Sequence, residues 1–263
     1  MPGSVSIFNF SGIYDEESFY RDDKGSSFYA QFNMIDCSDI SGTNCMCDDL
    51  AIEEINKRII RNNVCSEGIH FIDSGNYHYM SAILTNDIKE PFSLVVLDHH
   101  PDMQPPMFGD IMSCGGWVLK VIENNPFVRD IHIIGADRGL INKLDENDRN
   151  RVSFYDEDVL DEGGDWTKAI CPQHPVYLSI DKDVMTRDEI ITNWDQGEMT
   201  SERLLAFVSK LAETHKIIGI DVCGECNTKQ EGINIPEAIK GNDDFNIRLL
   251  KCLANVELFD ISD

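Results

Sequence analysis

The sequence predicts an α/β domain of three layers, α/β/α, built on a mainly parallel sheet. Two observations predict it. Six short apolar runs, at residues 5–10, 69–73, 94–98, 131–135, 176–181 and 217–222, are mostly rich in Ile, Val and Leu, and Gly, Asp or Asn tends to follow them. Such runs read as parallel strands buried on both faces. Stretches of helical periodicity lie between them, and alternation of strand and helix argues for a parallel sheet covered on both sides. The length of 263 residues fits one large domain over 1–263 with a sizeable core.

The elements follow in chain order. The first run, 5–10, is succeeded by a polar, Cys-containing stretch at 22–49, read as an irregular insertion or a lid. A helix is expected over 48–61, which carries apolar residues at Leu50, Ile52, Ile55, Ile59 and Ile60. Helices over 116–124 and 200–215 follow the same logic. Thr200 is a natural N-cap for the latter, although Arg203 stands where a capping box wants Glu. Residues 260–263 read as a frayed tail, and no internal repeat or low-complexity segment interrupts the chain.

The net charge of -25, from 47 acids against 22 bases, would repel nucleic acid and anionic lipid, so neither is expected as a partner. No apolar run approaches the roughly 18 residues that a membrane span needs. Met1-Pro2-Gly3-Ser4 lacks the basic and apolar regions of a signal peptide. A cytoplasmic location is the expectation. Nine cysteines, an odd number without a framework spacing, suggest reduced thiols. Cys223 and Cys226 have C-x-x-C spacing, but no second pair follows, so they read as buried or incidental thiols rather than zinc ligands.

The chemistry concentrates at strand ends, where ligands bind in open parallel sheets. One end carries Asp73-Ser-Gly-Asn-Tyr-His78, a second Asp98-His-His-Pro-Asp102, a third Ser179-Ile-Asp-Lys-Asp183, and a fourth leads from Asp221 to Glu225. Asp98, His100 and Asp102 form D-x-H-x-D, and Asp181 and Asp183 form D-x-D. Alternate residues of an extended chain point the same way, so each motif gathers its side chains on one side. Together with His78 this makes four carboxylates and two imidazoles, a donor set suited to two hard-to-borderline divalent cations. His99 and Lys182 fall between ligands and face away, with Lys182 available to an acid. Trp117 and Trp194 read as packing residues, and His132, His174 and His215 as structural or surface ones.

Over residues 75–227 the sequence resembles the arginase, agmatinase and formiminoglutamase family, the ureohydrolases. The matching residues are His78 after a glycine-containing turn, Asp98, His100 and Asp102, and Asp181 and Asp183 in Ser179-Ile-Asp-Lys-Asp183. The resemblance implies the arginase/deacetylase-like fold and a two-manganese centre. Asp98 and Asp181 would bridge the ions, His78 and Asp102 would complete one position, and His100 and Asp183 the other. It implies a small guanidino or amidino substrate, a metal-bridging hydroxide as nucleophile, Asp102 as proton relay, and a homo-oligomeric assembly. Glu225 occupies the region of the family's guanidinium-gripping acid, one residue beyond the usual spacing.

Two departures bear on substrate. The family often carries a His about a dozen residues past D-x-H-x-D, and residues 103–117 contain none. The Asp-Pro that usually follows D-x-D is replaced by Val184-Met-Thr-Arg187. The expectation is a binuclear metal-dependent hydrolase of a non-peptide C–N bond that is not arginine-specific. Two alternatives stay open. A deacetylase-like amidohydrolase would use one zinc and have no need of His78 or Asp183. A non-catalytic metal-binding relative would account for the missing His.

Overall fold

The computed structural model describes residues 4–21, 31–156, 159 and 169–254. Its centre is an eight-stranded sheet in the order β2-β1-β4-β10-β9-β5-β7-β8. The strands are β1 (Val5–Asn9), β2 (Phe32–Asp36), β4 (Ile69–Phe71), β5 (Phe92–Leu97), β7 (Val128–Ile134), β8 (Ser153–Tyr155), β9 (Val176–Asp181) and β10 (Ile217–Cys223). Every neighbouring pair is parallel. All six strands expected from the apolar runs are present. The short β3 (Met46–Cys47) and β6 (Met112–Ser113) form a separate antiparallel pair.

The central strands show why the fold has three layers. Every residue of β5 and of β9 is buried. On β5, Val95 and Leu97 join one apolar cluster while Leu94 and Val96 join the other, as the two-residue repeat of a strand requires. The first cluster is closed by α6 (Ser201–Thr214) and α7 (Ile235–Ala254) through Leu204, Phe207, Phe245 and Leu249. The second is closed by α1 (Asp49–Arg61), α2 (Met80–Thr85) and α3 (Trp117–Asn124) through Ile55, Ile83 and Val118. Asp48 caps α1 by accepting from Ala51 N. Thr200 caps α6 by accepting from Arg203 N, as expected. Short helical turns α4 (Arg138–Ile141) and α5 (Glu146–Arg149) link β7 to β8.

Two readings change. Of the stretch 22–49, residues 22–30 lie outside the described residues. The rest is not irregular throughout, because it supplies β2 and β3. β2 is an edge strand with partly exposed residues, so it lacks the continuous apolar run that marks β5. The tail at 260–263 also lies outside the described residues. No helix among the described residues is long and apolar enough to cross a membrane.

Candidate metal centre

The carboxyl ends of β4, β10, β9 and β5 are adjacent in the sheet, and they bring the motif residues together. Asp98 follows the last residue of β5. Its Oδ1 accepts from His100 N at 2.6 Å, which turns the chain sharply after the strand. Asp181 ends β9, and its Oδ1 accepts from Asp183 N at 2.9 Å, starting the tight helical turn Lys182–Val184. His78 follows the turn Gly75–Tyr77.

Two features arise differently from the extended-chain expectation. Asp183 reaches the site from a helical turn, not from a continuing strand. Asp102 does so from a left-handed backbone conformation, φ 48°. The side chains converge, but turns after the strands aim them.

The resulting geometry has two lobes joined at Asp98. His78 Nδ1 lies 3.3 Å from Asp98 Oδ2, 3.1 Å from Asp102 Oδ2 and 3.3 Å from Asp181 Oδ2. His100 Nδ1 lies 2.9 Å from Asp183 Oδ2 and 3.6 Å from Asp98 Oδ1. One potential donor atom each from His78, Asp98 and Asp102 falls within 4.8 Å of the others, and the same holds for Asp98, His100 and Asp183. Asp98 thus presents one oxygen to each lobe.

Partners outside the cluster orient these donors, as they do around metal ligands in general. His78 Nε2 lies 2.9 Å from Ser179 Oγ. That contact turns Nδ1 toward the carboxylates, where it would face an ion. Trp117 Nε1 donates to Asp102 Oδ2 at 2.7 Å. His99 N donates to Asp183 Oδ1 at 3.0 Å. Gly75 admits the close packing here, since a Cβ on it would stand 2.8 Å from the Trp194 ring and 3.2 Å from Asp181 Oδ2.

The electrostatics suit cations. Burial alone would keep His78 neutral, but the carboxylates of Asp102, Asp181 and Asp98 hold its pKa well above the usual value. Burial likewise opposes protonation of His100, yet Asp183 and Asp98 push it up to about 12. Burial and the charge of Asp98 raise Asp102 to about 6. Burial and the charges of Asp181 and Asp98 raise Asp183 well above the carboxylate range. Burial disfavours the ionised form of Asp98, but its contacts with His100 and His78 hold it well below that range. Protons on the imidazoles therefore do the balancing that metal ions would do. His78 Nδ1 and Asp98 Oδ2 are buried, 3.3 Å apart, and without a hydrogen-bond partner of acceptable geometry. Two orphaned donors facing one point fit an ion between them.

The centre forms one wall of a cavity of about 210 Å³. Its other walls include Cys45, Met46, Gln104, Ser113, Cys114 and Trp194. The packing assignment for Trp194 is therefore corrected: the residue is 39% exposed, and its ring meets His100 edge-on at 5.8 Å. Trp117 is fully buried, as a packing residue should be, and also bonds Asp102.

Glu225 requires the larger correction. It does not line the cavity; it is fully buried, with Oε1 2.5 Å from Lys182 Nζ and 3.0 Å from Asn246 Nδ2. Gly224, at φ 93°, comes immediately before it. A Cβ there would stand 2.4 Å from Asp181 Oδ1, so no side chain fits, and the following acid is carried into the interior. Lys182 faces away from the centre and pairs with an acid, as read from the sequence. His132 bonds Tyr155 and Asp130, and His215 lies beside Thr214, both remote from the cluster. Sequence reasoning gave no role to Ser179, although its place two residues before Asp181 on a buried strand puts it on the same face.

Comparison with known proteins agrees with this architecture. The sequence profile described as Arginase family matches residues 12–232. An uncharacterized protein of Thermotoga maritima is 29% identical over 225 residues, covering 86% of this chain and 81% of its own. Among solved structures, proclavaminate amidino hydrolase from Streptomyces clavuligerus superposes with a TM-score of 0.66 at 19% identity, covering 96% of this chain and 93% of its own. Formimidoylglutamase from Bacillus subtilis gives 0.65 at 12% identity, with 98% and 88% covered. Trypanosoma cruzi formiminoglutamase with Mn2+ gives 0.62 at 11%, with 95% and 94% covered. These likenesses show the fold.

Proposed function

Because the chain belongs to the arginase family, we propose that it is a metal-dependent hydrolase that cleaves a guanidino or amidino C–N bond in a small molecule. The observation that carries this reading is the pair of donor triads that share Asp98 beside the cavity. His78 and Asp102 would hold one divalent cation and His100 and Asp183 the other, with Asp98 and Asp181 between them. By resemblance the ions are manganese. Bound there, two cations supply Lewis acidity and lower the pKa of the attacking water.

The chain's own residues do the rest. Ser179 and Trp117 fix His78 and Asp102 in place, so the centre needs little rearrangement. Asp102, which lines the cavity, takes the proton from the attacking water and passes it to the leaving amine nitrogen. Trp194 offers an exposed indole as a wall for a planar cationic group.

The cavity also argues against L-arginine. Among the described residues, its only carboxylates are the four proposed metal ligands. Glu225, the candidate to grip a guanidinium, is committed to Lys182. Gln104, Ser113 and two thiols are a thin set of partners for an α-amino-acid head. A single-zinc deacetylase reading is weakened because His78 and Asp183 each complete a triad.

The test is urea or ammonia release from arginine, agmatine, guanidinobutyrate and formiminoglutamate by manganese-loaded protein. Turnover of a guanidino or amidino compound other than arginine supports the reading. No turnover of any of them with two metals bound would favour a non-catalytic metal-binding protein.

A further inference from the structure

The last residue of β10 adds a donor that the aspartate and histidine motifs do not contain. Cys223 is fully buried and is the cross-strand partner of Asp181 in the β9–β10 register. Its thiol donates to Asp181 Oδ2 at 3.0 Å. The same oxygen lies 3.3 Å from His78 Nδ1. One donor atom each from His78, Asp181 and Cys223 falls within 4.8 Å of the other two. His78 Nδ1 is buried, has no hydrogen-bond partner and is aimed into this space. Ligands at about 2.0–2.3 Å from one ion stand about 3–3.7 Å apart, close to the 3.0 Å and 3.3 Å that separate Asp181 Oδ2 from Cys223 Sγ and from His78 Nδ1.

We infer that Cys223 is a ligand of the cation held by His78, Asp98, Asp102 and Asp181, making that half of the centre a mixed nitrogen, oxygen and sulfur position that favours zinc or cobalt over manganese. The inference rests on the two-cation reading above. Thiolate ligands select softer ions, whereas carboxylate sets suit manganese. The other position, built on Asp98, His100 and Asp183, has no sulfur donor in its triad and keeps the oxygen-rich preference. The centre is therefore asymmetric. On coordination the thiol gives its proton to solvent, and a sulfur lone pair forms the bond to the ion. Asp181 Oδ2 loses the S–H hydrogen bond and becomes available to the ion as well.

The backbone supports this placement. Gly224 lets the chain turn immediately after Cys223 while staying against Asp181. The competing role for the thiol is simply to hold Asp181 through the hydrogen bond. A serine hydroxyl can perform that role, so Cys223→Ser separates the two.

The experiment is Co2+ titration of the metal-free, full-length protein, followed by absorption, with bound metal counted by elemental analysis. The inference predicts a sulfur-to-cobalt charge-transfer band in the near ultraviolet that saturates with one of two bound ions. The band persists in Cys45→Ser/Cys114→Ser, which removes the thiols lining the cavity. It disappears in Cys223→Ser and in Cys223→Ala. In metal competition, Cys223→Ser lowers the preference for zinc over manganese at least roughly tenfold. Two cobalt ions bound without the band, or a band that survives both Cys223 substitutions, overturns the inference and leaves the two-cation reading standing. Failure to bind two ions overturns both. The native spectrum decides without any variant, so a folding defect in either substitution does not remove the test.

Discussion

Replacing Trp117 by phenylalanine isolates a single hydrogen bond at the centre. Trp117 opens α3, is completely buried, and places its ring 4.8 Å from that of His78. Its indole N–H donates to Asp102 Oδ2 at 2.7 Å. Phenylalanine keeps most of the aromatic packing and supplies no donor. A hydrogen bond to a charged group contributes about 1.5–3 kcal/mol. At about 1.4 kcal/mol per tenfold change, its loss should weaken the ion at His78 and Asp102 by roughly 10- to 100-fold. The ion at His100 and Asp183 should bind as in the native protein, since the hydrogen bond of Trp117 goes to Asp102, which belongs to the other position. Calorimetric titration with manganese resolves the two positions. The smaller ring also leaves a void, so urea unfolding of the metal-free protein measures that cost separately. Equal weakening of both positions, or of neither, would refute the argument that this bond prepares Asp102.

Three further outcomes are expected. Asp181→Ala should remove more metal than Asp183→Ala, because a bridging carboxylate serves both ions and a terminal one serves a single ion; equal loss of one ion in both variants contradicts the bridging role. Lys182→Met should lower the stability of the metal-free protein by about 3–5 kcal/mol, since it leaves Glu225 buried without its counter-charge. Urea unfolding checks this, and an unchanged midpoint would contradict a structural role for the buried ion pair. In the substrate panel arginine should be turned over weakly or not at all, because each polar group of its head left unpaired costs about 1–3 kcal/mol; efficient release of urea from arginine contradicts the cavity argument.

The sequence made the middle of the sheet legible because β5 and β9 are buried on both faces and so are apolar without interruption. It concealed β2 because an edge strand buries less of itself. It also concealed α7, whose apolar stripe is broken by Asn242, Asp243 and Asn246. These are the groups that anchor the helix: Asp243 accepts from Ser18 N and Phe19 N, and Asn246 donates to Glu17 and Glu225. A buried polar residue with partners distant in sequence has no local signature.

The same distinction applies to the centre. Residue type and spacing revealed the six candidate donors, and the structure brings them together. Glu225 was misplaced because motif spacing cannot register that Gly224 takes a positive φ and sends the next side chain inward. Cys223 is a buried thiol, as its sequence context suggests, but its place beside Asp181 is one of register between β10 and β9, and the pairing of two strands some forty residues apart is not written in either run.

Two cations sharing Asp98 would be seen in anomalous diffraction from a crystal of manganese-loaded protein. Two peaks are expected, one among His78, Asp98 and Asp102 and one among Asp98, His100 and Asp183, with Asp98 touching both. A single peak, or a fully loaded centre in which Asp98 contacts only one ion, would contradict this sharing.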